Sequence, residues 1–183
     1  MKIERLAIPE LILVTPVRHG DARGHFAETY QAGRFIAAGI DLAFMQDNQS
    51  LSRDVGTIRG LHCQLAPFAQ GKLVRCISGA IWDVAVDARL ASPTYGKWAA
   101  VTLTAAAGNQ LWIPPGFLHG FCTLTADTGV LYKVTAGYDR GSEQGVIWDD
   151  PDLAIPWPLP PGGAVLSDKD LVLPRWAATP ALF

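Results

Sequence analysis

The chain has 183 residues, of which 49% are hydrophobic and 17% charged, with a formal net charge of −2. That length suits one domain, or one domain with an appendage, and buries roughly 70% of its unfolded surface. The near-neutral balance excludes a bulk electrostatic pull on nucleic acid or membrane, and no window approaches the ~18 apolar residues of a spanning helix. So low a charged fraction leans towards an oligomer with a buried interface.

In chain order, the N-terminal apolar run at 11–14 is too short for a signal peptide and has no small-residue cleavage site. Residues 31–38 are the best helix candidate, with Gly39 as the stop. Residues 46–72 concentrate His62, Lys72, Arg59 and several amides in a stretch of strand and turn. A strand at 73–77, a turn at Ser78-Gly79 and a second strand at 80–87 read as a hairpin. In its second arm Trp82, Val84 and Val86 share one face, and Asp83, Ala85 and Asp87 the other. Further strands are predicted at 97–103, 110–113, 121–124 and 130–134, punctuated by Ala107-Gly108-Asn109, Pro114-Pro115-Gly116 and Asp127-Thr128-Gly129. From Asp150 onward prolines dominate, which predicts an irregular arm on the barrel with a small helix at 167–171. Short strands without a βαβ rhythm predict an antiparallel sandwich or barrel.

Cys63, Cys76 and Cys122 form no Cys-x-x-Cys pair, and their odd number argues against a disulfide framework. A reducing, cytoplasmic compartment is the expectation.

The four histidines differ in promise. His19 sits in a polar loop and reads as surface; His25, between Gly24 and Phe26, can border a pocket. His119 ends a Pro-x-Gly-x-x-His run that resembles the second motif of cupin barrels, where the glycine permits a tight turn. His62 is followed by Cys63 and Gln64, so the His-x-His pair of metal-binding cupins is missing. Two histidines without a third ligand favour a metal-free cavity. A histidine free of metal suits proton abstraction near neutral pH. The ordinary alternative is a core histidine bonded to a backbone carbonyl. Lys72 heads an apolar strand; it is either a solvated strand end or an ammonium aimed at an enolate. Tyr132 is a packed strand residue or an interior proton donor. Arg23, Glu28, Gln46, Asn48, Arg59 and Lys169 are individually surface groups, and together can hold a nucleotide, with arginine on its diphosphate. Strict alternation puts Arg59 and His62 on opposite faces, so both reach one cavity only if the strand bulges, with Gly60 the natural place.

Several segments together resemble the dTDP-4-dehydrorhamnose 3,5-epimerase family of the cupin superfamily. They are DARGHFAETY (21–30), QDNQSLS (46–52), GTIRGLHCQ (56–64) and QGKLVRCISGAIWDVAVDAR (70–89), then SPTYGKW (92–98), IPPGFLHGF (113–121), LYKVTAGY (131–138), EQGVIWDDP (143–151) and LSDKD (166–170). The resemblance covers about 11–174. It implies an all-β, cupin-type antiparallel jelly-roll barrel with short peripheral helices, usually a homodimer with an exchanged N-terminal segment. It implies no metal or organic cofactor. The implied reaction is epimerisation of dTDP-4-keto-6-deoxy-D-glucose at C3 and C5 to dTDP-4-keto-L-rhamnose. His62 would be the base, oriented by Asp170, with Asp168 the alternative in the same motif. Lys72 would stabilise the enolate, and Tyr132 would return the proton from the opposite face. Arg23, Phe26, Glu28, Gln46, Asn48, Arg59, His119, Tyr138, Glu143 and Lys169 would line the dTDP-sugar pocket.

Three departures from the family pattern border these motifs: Cys63 in place of an aromatic residue, Gln49 in place of histidine, and the small pair Ala136-Gly137 before Tyr138. They are expected to bear on substrate and regiochemistry. The alternatives are a single-site C3 or C5 epimerase of a modified-sugar pathway, a metal-dependent cupin, and a nucleotide-sugar binding module without catalysis.

Overall fold

The computed structural model describes residues 1–179 and 181–183. In chain order its strands are β1 (Lys2–Arg5), β2 (Ile12–Thr15), β3 (Arg18–Asp21), β4 (Gly24–Ala27), β5 (Gln46–Ser52), β6 (Ile58–Gln64), β7 (Lys72–Ser78), β8 (Ala80–Asp87), β9 (Trp98–Thr104), β10 (Gln110–Ile113), β11 (Phe117–Thr123), β12 (Thr128–Val134) and β13 (Glu143–Gly145), with helix α1 (Ala32–Ala37) between β4 and β5. Two antiparallel sheets form a jelly-roll sandwich: β1-β2-β10-β7-β12-β5 and β13-β6-β11-β8-β9. The hairpin of β3 and β4 pairs with neither.

Between the sheets lies an apolar core that includes Val74, Cys76, Ile81, Ala85, Leu103, Leu111, Phe117 and Val130. The outer face of the five-stranded sheet is also buried, because the proline-rich arm lays Leu153, Ile155 and Trp157 over Ile58, Leu61, Val84 and Val86. Hence β8 is buried on both faces, and its Trp82-Val84-Val86 and Asp83-Ala85-Asp87 rows enter different surroundings. Helix α1 covers part of the other sheet. Its N-cap Gln31 accepts from the Arg34 amide, and Phe35 packs on Ile12, Leu73 and Trp112. Burying that phenyl ring is worth about 2 kcal/mol.

Three sequence expectations need correction. The segments at 73–77 and 80–87 are not a hairpin: β7 pairs β10 and β12, whereas β8 pairs β9 and β11. Gly79, at φ +70°, turns the chain from one sheet into the other, and a side chain there would collide with Thr125 and Thr128. The strand expected at 121–124 starts at Phe117, so His119 lies inside a strand whose seven residues are all buried. The small helix expected at 167–171 is a turn at Ser167 leading into a 3₁₀ segment, Asp170–Val172.

Candidate active site

The bulge anticipated at Gly60 brings the site together. Where β6 pairs β11, His62 faces His119 and Arg59 faces Phe121, so between those pairs β6 sets two residues, Gly60 and Leu61, against the single Gly120. Gly60 has φ +121°, and a Cβ there would lie 2.6 Å from both Gly120 Cα and the His119 carbonyl oxygen. Only glycine fits that crossing. The extra residue turns Arg59 and His62 into one cavity of about 370 Å³. Lys72, His119, Tyr132, Tyr138, Glu143, Lys169 and Asp170 share it, along with Ser50, Phe121 and Ser167.

His62 Nε2 lies 2.7 Å from Asp170 Oδ1. The contact is short but off the line of an ideal hydrogen bond, and both atoms are sealed from solvent with no other partner among the described residues. Asp170 Oδ2 accepts from the Ser167 hydroxyl at 2.9 Å. Burial alone would raise the Asp170 pKa, but His62, Ser167 and Lys169 outweigh it and hold the carboxyl below its usual range. Asp168 is exposed.

Lys72 opens β7 and faces the cavity; among the described residues it forms no ion pair. Burial lowers its pKa, opposed by Cys63, Asp83 and Glu143. Burial likewise raises Tyr132, which keeps the phenol protonated. His119 is 8% exposed, with Nε2 at 3.0 and 3.1 Å from the two oxygens of the fully buried Asp83. Burial lowers the His119 pKa, and Asp83 only partly offsets it. Sequence reasoning missed Asp83 as the partner of His119. Its place on the inward face of β8 was the available signal.

The rim is polar. The Tyr138 hydroxyl donates to Glu143 Oε2 at 3.0 Å, and Lys169 Nζ lies 2.5 Å from Glu143 Oε1. Burial would raise Glu143, but Lys169 and Tyr138 hold it low. Gln46 and Asn48 are bonded to each other at 2.7 Å and line an adjoining cavity that shares His62, Lys72 and Tyr132. Gln64 and Gln70 clasp the loop of Tyr138 through the carbonyl oxygens of Ala136 and Gly137. Any residue supplies a carbonyl, so the small pair is compatible with that clasp. Gln49 is exposed and borders neither cavity. Cys63 is buried beside the smaller cavity, and burial pushes its thiol up to about 12.

Three expected pocket residues are elsewhere in this chain. Arg23 and Phe26 belong to the β3–β4 hairpin, where Arg23 pairs with Asp21 and Phe26 is 72% exposed. Glu28 pairs with Arg34 at 3.1 Å. His25 borders a different cavity, beside Arg18 and Arg75. Among the described residues, no three His, Cys, Asp or Glu side chains converge as metal ligands.

The profile of the dTDP-4-dehydrorhamnose 3,5-epimerase family matches residues 5–178. The chain belongs to the dTDP-4-dehydrorhamnose 3,5-epimerase family. A member of that family from Sinorhizobium fredii is 50% identical over 183 residues, covering 100% of this chain and 93% of the relative. The crystal structure of the Bacillus anthracis epimerase with TDP and PPi bound superposes with TM-score 0.92 at 45% identity, covering 95% of this chain and 98% of that one. The Legionella pneumophila 3,5-epimerase, solved with dTDP-4-keto-L-rhamnose, gives TM-score 0.93 at 42% identity, covering 98% and 95%. Among these epimerase-family chains the jelly roll is therefore shared almost end to end.

Proposed function

We propose that this chain inverts C3 and C5 of dTDP-4-keto-6-deoxy-D-glucose, giving dTDP-4-keto-L-rhamnose. The observation that carries the reading is the meeting, in one cavity, of a carboxylate-backed histidine, an ammonium with no ion-pair partner among the described residues and a buried phenol. Each inversion needs a base on one face of the carbon, an acid on the other, and a cation at the ketone oxygen between them.

His62 removes the proton alpha to the C4 ketone. With Nε2 against Asp170, Nδ1 is left to take the proton, and Asp170 balances the resulting imidazolium. The C–H electron pair moves into an enolate, whose oxygen is met by the Lys72 ammonium in a poorly solvated site. Tyr132 donates its phenolic proton to the opposite face, and the phenolate recovers a proton from solvent. The same cycle serves the second carbon. No redox step occurs, and the scheme calls for no cofactor. Arg59, His119, Tyr138, Glu143, Lys169, Gln46 and Asn48 hold the sugar nucleotide, consistent with the dTDP-4-keto-L-rhamnose bound in the Legionella relative.

The proposal extends to a homodimer in which the β3–β4 segment of one protomer supplies Arg23, Phe26 and Glu28 to its partner's pocket. Its support is the hairpin's separation from both barrel sheets and the exposure of Phe26. A cytoplasmic site of action fits three free cysteines.

The direct test supplies dTDP-4-keto-6-deoxyglucose, the protein, a rhamnose-forming ketoreductase and NADPH. Formation of dTDP-L-rhamnose supports the reading; absence of any L-configured product refutes it.

A further inference from the structure

On the inward face of β5 stand four polar side chains in succession, Gln46, Asn48, Ser50 and Ser52, alternating with the exposed Asp47, Gln49 and Leu51. Three have protein partners: Gln46 donates to Asn48, and Ser52 accepts from Arg59 Nε at 3.2 Å. Ser50 alone does not. Its hydroxyl is sealed from bulk solvent, has no hydrogen-bond partner among the described residues and borders the main cavity. A buried polar group without a partner is destabilising, and interiors rarely keep one. Its cross-strand neighbour, Val130, has no polar side-chain atom to offer.

We infer that Ser50 is a substrate-contacting residue whose hydroxyl donates to a non-bridging oxygen of the sugar diphosphate, beside Arg59. The inference rests on the sugar-nucleotide reading above. Position along β5 selects the diphosphate rather than the hexose. Lys72 pairs with Val134, which pairs with Gln46, and Tyr132 pairs with Asn48. The reacting end of the cavity is thus the Gln46 end of the strand. Ser50 lies one inward step away, towards the end where Arg59 is anchored to Ser52 and to the Leu51 carbonyl at 3.2 Å. Those two bonds use Nε and one terminal nitrogen of Arg59. The other terminal nitrogen has no acceptor among the described residues. A guanidinium edge and a lone hydroxyl on adjoining positions are the donor set of a phosphate oxygen.

The test compares wild type with Ser50→Ala and Ser50→Thr, using calorimetric titration of dTDP and of thymidine, and steady-state kinetics of sugar-proton exchange. Ser50→Ala should weaken dTDP about tenfold or more and raise KM in step, with kcat held within about twofold, because a hydrogen bond to a charged acceptor is lost. Thymidine, which has no phosphate, should bind Ser50→Ala as it binds wild type, and Ser50→Thr should recover most of the dTDP affinity. Unchanged dTDP affinity in Ser50→Ala overturns the inference. So does a fall in kcat with dTDP binding intact, which would put the hydroxyl on the hexose. Parallel weakening of thymidine and dTDP would mean a deformed pocket, and also overturns it. If wild type binds dTDP but exchanges no sugar proton, the epimerase reading fails while the dTDP comparison still decides the role of Ser50.

Discussion

His62 and His119 stand directly opposite each other on β6 and β11, and each is backed by its own carboxylate from a different element. Asp170 reaches His62 from the C-terminal 3₁₀ segment at 2.7 Å; Asp83 reaches His119 from β8 at 3.0 Å. The pairs are not equivalent. The His62 side chain keeps 23% of its surface open and His119 only 8%. Burial lowers His119, which favours a neutral ring suited to hydrogen bonding, and His62 is the more accessible of the two rings.

His62→Ala should therefore abolish exchange of the sugar protons, a loss of about 10²–10⁴-fold, with dTDP binding largely intact. Asp170→Asn keeps the shape but removes the charge behind the imidazolium, so kcat should fall by at least about tenfold with little change in KM. Full exchange in His62→Ala would remove the proposed base.

Lys72→Met should lower kcat about 10²–10³-fold, as expected when one donor to a developing oxyanion is lost. Lys72→Arg should rescue poorly, since a planar fork does not replace a compact ammonium in a tight cavity. Near-normal turnover by Lys72→Met would exclude Lys72 from the enolate.

Tyr132→Phe separates the two faces of the reaction. His62 can still remove a proton and return a deuteron to the same face, so exchange should persist while net inversion falls about 10²–10⁴-fold. Equal loss of exchange and inversion would assign Tyr132 to the abstraction step instead.

The exchanged-dimer proposal predicts complementation. Arg23→Ala and His62→Ala homodimers should both be impaired, and mixing them under subunit exchange should restore part of the activity, from the one intact site of each heterodimer. No recovery in verified heterodimers would place Arg23 outside the partner's site.

Acid should destabilise the fold in two stages. A lowered histidine pKa means the unfolded chain binds a proton that the folded chain refuses, so His119 removes stability as pH falls below about 6.5. Lowered carboxyls act further down. Burial would raise Asp87, but bonds from Arg89, Ser92 and Thr94 hold it at about 2. Its contribution, about 2 kcal/mol, is present above about 3.9 and lost as pH falls towards 2. Asp170 adds in the same direction. Thermal melts across pH should show Tm falling below pH 6.5 and more steeply below 4, with the lower stage blunted in Asp87→Asn. A flat Tm between pH 7 and 4 would contradict the His119 assignment.

The strands and turns were legible because they are local. Gly39 ends α1, and β10 occupies the residues that its flanking turns predict. Sheet membership is not local. The turn at Ser78-Gly79 has ordinary hairpin chemistry, yet the chain passes through it into the opposite sheet, where β8 pairs with β9 and β11 instead of β7. The pocket was legible to the same degree. Alternation showed that Arg59 and His62 needed a bulge, and the Gly60–Gly120 crossing supplies it. Spacing could not select Asp170 for His62 across more than 100 residues without the family motif, nor link Asp83 to His119. Arg23, Phe26 and Glu28 stay outside the cavity of their own chain, a placement that the motif containing them did not reveal.

The most direct test is proton NMR of dTDP-4-keto-6-deoxyglucose in deuterated water with catalytic amounts of the protein. The proposed mechanism predicts loss of the signals at both C3 and C5, abolished by His62→Ala. Exchange at one carbon alone would make the protein a single-site epimerase, and exchange at neither would contradict the proposed chemistry outright.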